Sequence, residues 1–155
     1  MIEERIIKAI EILQQKDKIF LNPKFDINER SVTHRLGMYL AGLFTEYDVD
    51  CEYNRVYDLN ADEYIKKNIE IEVIEDGLTL EDTDARTVYP DIIIHKRGTK
   101  DNFIAIEVKM AWKKNKMDFD FIKARAYKYR LGYKHSAYLE LGPFNNYTLK
   151  WIEDE

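Results

Sequence analysis

The chain has 155 residues, 45% of them hydrophobic and 34% charged, with a formal net charge of −5. That length suits one domain that buries its own core, and that apolar fraction excludes disorder. One cysteine, Cys51, excludes an intramolecular disulfide, and no apolar run approaches the ~20 residues of a membrane helix.

No signal-peptide pattern stands at the N-terminus, where charge and isoleucine mix from Glu3 onward. The expectation is a cytoplasmic protein of a reducing compartment. The acidic total argues against a general nucleic-acid binder. The charge is uneven, however. Acids crowd Glu70 to Asp84 and Glu153 to Glu155, and bases crowd Lys96 to Lys134. A local basic face can hold phosphate on an acidic molecule.

Residues 2–17 predict a helix, with Ile2, Ile6, Ile10 and Leu13 at helical spacing. Asn22-Pro23 ends it. A second helix is expected over 27–47, with the stripe Val32, Leu36, Leu40 and Leu43. Asp26 reads as its N-cap, with Glu29 three residues on as in a capping box. Glu29 also falls on the core-facing stripe, so it either caps or points inward for a purpose. Residues 49–55 alternate as a strand, with Cys51 expected in the core. Residues 56–88 are hard to assign, and Gly77 with Glu81–Asp84 suggests an exposed loop or flap.

The most informative stretch follows. Ile92-Ile93-Ile94 and Ile104-Ala105-Ile106 read as strands buried on both faces. Lys96 to Asn102 has turn composition, so the pair should be antiparallel. Period two puts Glu107 and Lys109 on one face with Ala105 and Phe103, and Ile104, Ile106 and Val108 on the other. His95 shares parity with Asp91, as a structural histidine or a neighbour of a site. A third helix is expected over 117–133, on the stripe Phe119, Ile122, Ala126, Tyr129 and Tyr133. Residues 135–141 and 146–152 read as strands, the last at an edge. Helices on both faces of a mixed sheet fit this order.

Asp91, Glu107 and Lys109 are charges on otherwise apolar strands, so they need partners. One answer is an ion pair with Lys109 between the carboxylates. The other is a divalent cation, for which hard oxygens with room for water suit Mg²⁺. Such an ion keeps positions for phosphate and an attacking water, with Lys109 beside them. Spacing alone leaves both open. The basic run Lys113, Lys114 and Lys116 follows directly from the Lys109 strand and is a candidate phosphate contact. Tyrosines and bases from Lys123 to Tyr138 could stack bases, or form an ordinary amphipathic helix.

Pro90-Asp91 followed by Glu107-Val108-Lys109 on the next strand resembles the PD-(D/E)xK nuclease superfamily. The order helix, three strands, helix, strand from about 27 to 141 is similar too. The segments Val49–Arg55 and Pro90–Gly98 resemble small bacterial or phage members. The resemblance implies an α/β, restriction-endonuclease-like αβββαβ core with an extra N-terminal helix, as one domain over 1–155. It implies a Mg²⁺- or Mn²⁺-dependent nuclease cutting phosphodiester bonds, with DNA as partner; because duplex cleavage is easier with two sites and one chain carries one, a homodimer is a further expectation. Asp91, Glu107 and the Val108 carbonyl would hold the metal, with Glu29 completing the site. Lys109 would position the water, and Lys123 would touch a phosphate. The competing expectation is an inactive binding or assembly module of the same fold. An acidic nucleic-acid mimic, through Glu70 to Asp84, is a third.

Overall fold

The computed structural model describes residues 1–51, 90–113, 117–129 and 131–153, with the side chains of 117–121 left out. The strand expected over 52–55, the insert 56–88 with its acidic run, and Lys114 and Lys116 lie outside these residues. Described elements run α1 (Ile2–Lys16), a 3-10 turn (Lys18–Leu21), α2 (Glu29–Leu43), β1 (Asp48–Cys51), β2 (Ile92–His95), β3 (Asn102–Met110), α3 (Met117–Tyr129), β4 (His135–Leu141) and β5 (Tyr147–Trp151).

The strands form one sheet in the order β1-β2-β3-β4-β5. All pairs are antiparallel except β3 with β4, which α3 connects in parallel. This is the mixed α/β sheet of a restriction-endonuclease-like fold, with α1 as the N-terminal addition. β5 is an edge strand, as expected.

Two apolar layers enclose the sheet. On one face Ile92, Ile94, Ile104, Ile106 and Val108 pack with Ile6, Ile10 and Leu13 of α1 and Val32, Leu36 and Leu40 of α2. On the other, Ile93 and Ala105 pack with Tyr127 and Tyr133. Ile92, Ile93, Ile94, Ile104 and Ile106 are fully buried. Each contributes ~2 kcal/mol, so together they outweigh the several kcal/mol that one buried, paired carboxylate costs.

Three local features differ from expectation. The N-cap of α2 is Asn28, whose side chain accepts from the Arg30 N–H at 2.8 Å. Asp26 instead sits at φ 44°, outside the helix, and its carboxylate meets Lys113 Nζ at 3.2 Å. Asparagine caps as well as aspartate does, and it stands nearer the apolar stripe. Phe103 does not share the environment of Ala105. The β2–β3 register shifts between Ile94 and His95, and Phe103 stacks on Tyr47 with ring centres 4.6 Å apart. An extra residue at a bulge re-aims its side chain in this way. Cys51 is exposed rather than in the core.

The turn between β2 and β3 uses Gly98 at φ 71°, a conformation that glycine adopts without strain. α3 ends in the same manner. Gly132 has φ 73°, and the Tyr133 N–H reaches back to the Tyr127 carbonyl at 3.2 Å. This return spans six residues, one more than a Schellman bond, with glycine supplying the left-handed conformation. It turns the chain sharply into β4.

Candidate active site

The Asp91–Glu107 pair is built by strand register. Ile92 faces Ile106 and Ile93 faces Ala105. One further step sets Asp91, at the bend before β2, opposite Glu107. The side chain confirms the approach, because Asp91 Oδ2 accepts the Val108 N–H at 2.8 Å. The ladder stops there and a carboxylate takes its next link. Period two then places Lys109 beyond Glu107 on the same face.

Glu107 is 1% exposed, in a position that otherwise suits an apolar residue. Its charge is met from α3. Lys123 Nζ lies 3.0 Å from Oε2, and the Tyr127 hydroxyl donates to Oε1 at 2.9 Å. The two residues are four apart, which puts them on one helix face. Tyr127 is fully buried. The sequence stripe ran through Tyr129, which is exposed and donates to the Glu153 carbonyl. Tyr127 is thus the site residue that periodicity missed; its spacing from Lys123 is the signal that could have found it.

Parallel pairing extends the face toward β4. Tyr138 stands in register with Glu107, and Glu140 with Lys109. Lys109 is half-buried. Glu29 is the first residue of α2, also half-buried, in the layer opposite α3. Lys113 is tied to Asp26 at the end where β3 leaves the sheet. Lys123, expected at a phosphate, is bound to Glu107.

The last expected neighbour, His95, belongs to another cluster. It is 3% exposed, and its Nε2 lies 2.7 Å from Asp50 Oδ2. Arg97 grips the same carboxylate with Nε at 2.9 Å and Nη2 at 2.5 Å. These Arg97 bonds are the main cause that holds the Asp50 carboxyl below its ordinary 3.8. Burial opposes them and His95 adds to them. The cluster ties β1 to β2 and reads as structural.

Among the described residues no three His, Cys, Asp or Glu side chains gather as a metal-binding group. The donors present at Asp91 and Glu107 are two carboxylates beside the Val108 backbone. All are hard oxygens, which fits Mg²⁺ or Mn²⁺ rather than a nitrogen- or sulfur-seeking metal.

No curated protein and no solved structure matches the chain. A family model, Restriction endonuclease EcoRV, matches residues 55–152. The match spans Asp91, Glu107, Lys109, Lys123 and Tyr127, and more than half of the chain. On this match and the sheet described above, the chain belongs to the EcoRV restriction endonuclease family, within the PD-(D/E)xK superfamily.

Proposed function

We propose that the protein is a divalent-metal-dependent nuclease that hydrolyses phosphodiester bonds of DNA by attack of water. The observation that carries this is the Asp91–Glu107 pairing across β2 and β3, with Lys109 two residues beyond, inside the region the family model matches.

Asp91, Glu107 and the Val108 carbonyl would hold Mg²⁺ or Mn²⁺, and Glu29, in the opposite layer, would join them only around the end of the sheet. In a strand the N–H and C=O of one residue point toward the same neighbour. The Val108 carbonyl therefore lies on the side where Asp91 takes the N–H. The ion would supply Lewis-acid stabilisation of charge on the phosphate. Lys109 orients the attacking water through its ammonium group. Tyr127 fixes the rotamer of Glu107 from behind. Lys113, which follows β3, would meet the phosphate backbone, and Lys114 and Lys116 next to it in sequence would add to that charge. Lys123 becomes available to a phosphate once another cation answers Glu107. A chain with one such site cuts both strands of a duplex most simply as a symmetric dimer.

The test is cleavage of plasmid and single-stranded DNA by purified protein with Mg²⁺ or Mn²⁺. Activity should vanish in Asp91→Asn and Lys109→Ala. Equal cleavage by wild type and both variants would refute the assignment.

One observation favours a second reading. Lys123 and Tyr127 already satisfy both oxygens of Glu107, so the motif could persist as a structural ion pair in an inactive binding or assembly module. Calorimetric titration with Mn²⁺ separates the two. Heat that disappears in Asp91→Asn supports the nuclease, and no heat from wild type supports the module.

A further inference from the structure

A groove of about 520 Å³ lies between the end of α1 with its 3-10 turn and the β4–β5 turn, lined by Gln14, Lys18, Asn22, Pro143, Phe144 and Asn145, among others. It continues into a hollow of about 420 Å³ that shares Gln14, Lys18 and Asn145 and reaches Tyr147. Three independent features mark it. Phe144 is 88% exposed and sits at φ 59°. A bulky side chain in the left-handed region is strained, and such strain clusters at binding sites. Gln14 is 7% exposed, and its Nε2 is buried with no hydrogen-bond partner. A buried donor of this kind seeks an acceptor. Lys18 has no ion-pair partner among the described residues and is exposed at the rim.

The groove opens at the same end of the sheet as the carboxylates. The Ala111 N–H bonds the Leu141 carbonyl where β3 and β4 finish. The Asp26–Lys113 pair ties the loop before α2 to this end. Lys109 is level with Glu140, and Pro143 follows three residues on, in the turn just past the end of β4.

We propose that this groove binds an unpaired segment of a nucleic-acid strand. A base stacks on Phe144, a base carbonyl accepts from Gln14 Nε2, and a phosphate pairs with Lys18. An exposed ring beside a cation is the arrangement that holds single strands. A base held in a duplex could offer neither its face nor its pairing edge. Lys18 lines both the groove and the hollow, whereas Glu11 lines only the hollow, so the phosphate belongs on the groove side of Lys18. The choice of nucleic acid over other aromatic anions rests on the nuclease reading; the site itself rests on the groove.

The experiment is fluorescence anisotropy of the full chain in EDTA, with a labelled ten-nucleotide oligothymidylate and a ten-base-pair duplex as probes. The single strand should bind more tightly. Phe144→Ala should weaken it by about tenfold. Lys18→Ala should lower the salt slope by about 0.7. Gln14→Leu should weaken binding while leaving the melting temperature equal or higher, because it removes an unpartnered buried amide. Wild-type binding by all three variants, or full displacement of the oligonucleotide by an equal concentration of acidic peptide, overturns the proposal. Because the probes are read without metal, the two readings fail separately. A chain that cleaves DNA but binds normally as Phe144→Ala loses only the groove. A chain that binds as expected but never cleaves with Mn²⁺ keeps the groove and loses the nuclease.

Discussion

Lys123 Nζ lies 3.0 Å from Glu107 Oε2, so the most deeply buried carboxylate in this site draws a cation from the helix α3. Truncating one partner of a buried pair leaves an uncompensated charge, which costs about 3 kcal/mol or more. Lys123→Met, which keeps the apolar stem, should therefore lower stability by about that amount in urea unfolding. Added Mn²⁺ should raise the melting temperature of Lys123→Met more than that of wild type, because the ion then supplies the missing charge. An equal shift in both proteins would show that Lys123 and the ion do not share Glu107.

Tyr127→Phe preserves volume and removes one hydrogen bond to a charged group. The expected loss is about 1.5–3 kcal/mol. The expected kinetic consequence is a fall in kcat with KM for DNA little changed, since the hydroxyl holds Glu107 and not the substrate. A neutral effect on stability would mean that Glu107 keeps its rotamer without Tyr127.

Asp91 has two separable roles. Its Oδ2 caps the Val108 N–H, and its charge belongs to the proposed metal site. Asn can still accept from that N–H, so Asp91→Asn should stay close to wild-type stability while losing Mn²⁺ binding and cleavage. Asp91→Ala should lose these and about 1–3 kcal/mol of stability as well, from the orphaned N–H. Thermal unfolding of the pair decides it, and equal melting temperatures would refute the capping role.

Acid should expose the Asp50 cluster. The Asp50 carboxyl is held below its ordinary 3.8, chiefly by the Arg97 hydrogen bonds. A group depressed in the fold stabilises above its unfolded value and loses that contribution as pH falls through its folded one. Wild type should therefore lose stability below about pH 4 more steeply than Asp50→Asn, which should be less stable at neutral pH. Melting curves by circular dichroism at a series of pH values give both slopes. Parallel acid limbs would remove Asp50 from the account.

The sheet was readable because its signals are strong and local. Ile92–Ile94 and Ile104–Ile106 could only be strands buried on both faces, and Gly98 marked the turn between them. Period two put Glu107 and Lys109 on one face of their strand, while the meeting of Asp91 with Glu107 waited on the hairpin register. What stayed hidden depends on helix phase. Tyr133 lies beyond the turn at Gly132, so its burial says nothing about the face of α3, yet it steered the stripe toward Tyr129. Asp26 and Asn28 are equally good caps two residues apart, and only packing chose Asn28. Gln14 looked like any polar residue on α1. Yet it follows Ile6 and Ile10 at four-residue steps, so helical spacing carried its burial and only its polarity hid it.

The bulge between Ile94 and His95 is the one irregularity in the β2–β3 ladder, and it lies at the far end from Asp91. A slip of one residue would turn every side chain of β2 over. It would push the Asp91 carboxylate into the isoleucine layer beneath α1 and α2 and set a hydrophobic group against Glu107. The bulge instead absorbs the mismatch of the hairpin where β2 gives way to its turn. Length changes in the Lys96–Asp101 turn can therefore be taken up locally. Apart from Arg97, which grips Asp50, and Gly98 with its positive φ, the hairpin tip can change in size while the opposite end keeps time between two acidic residues.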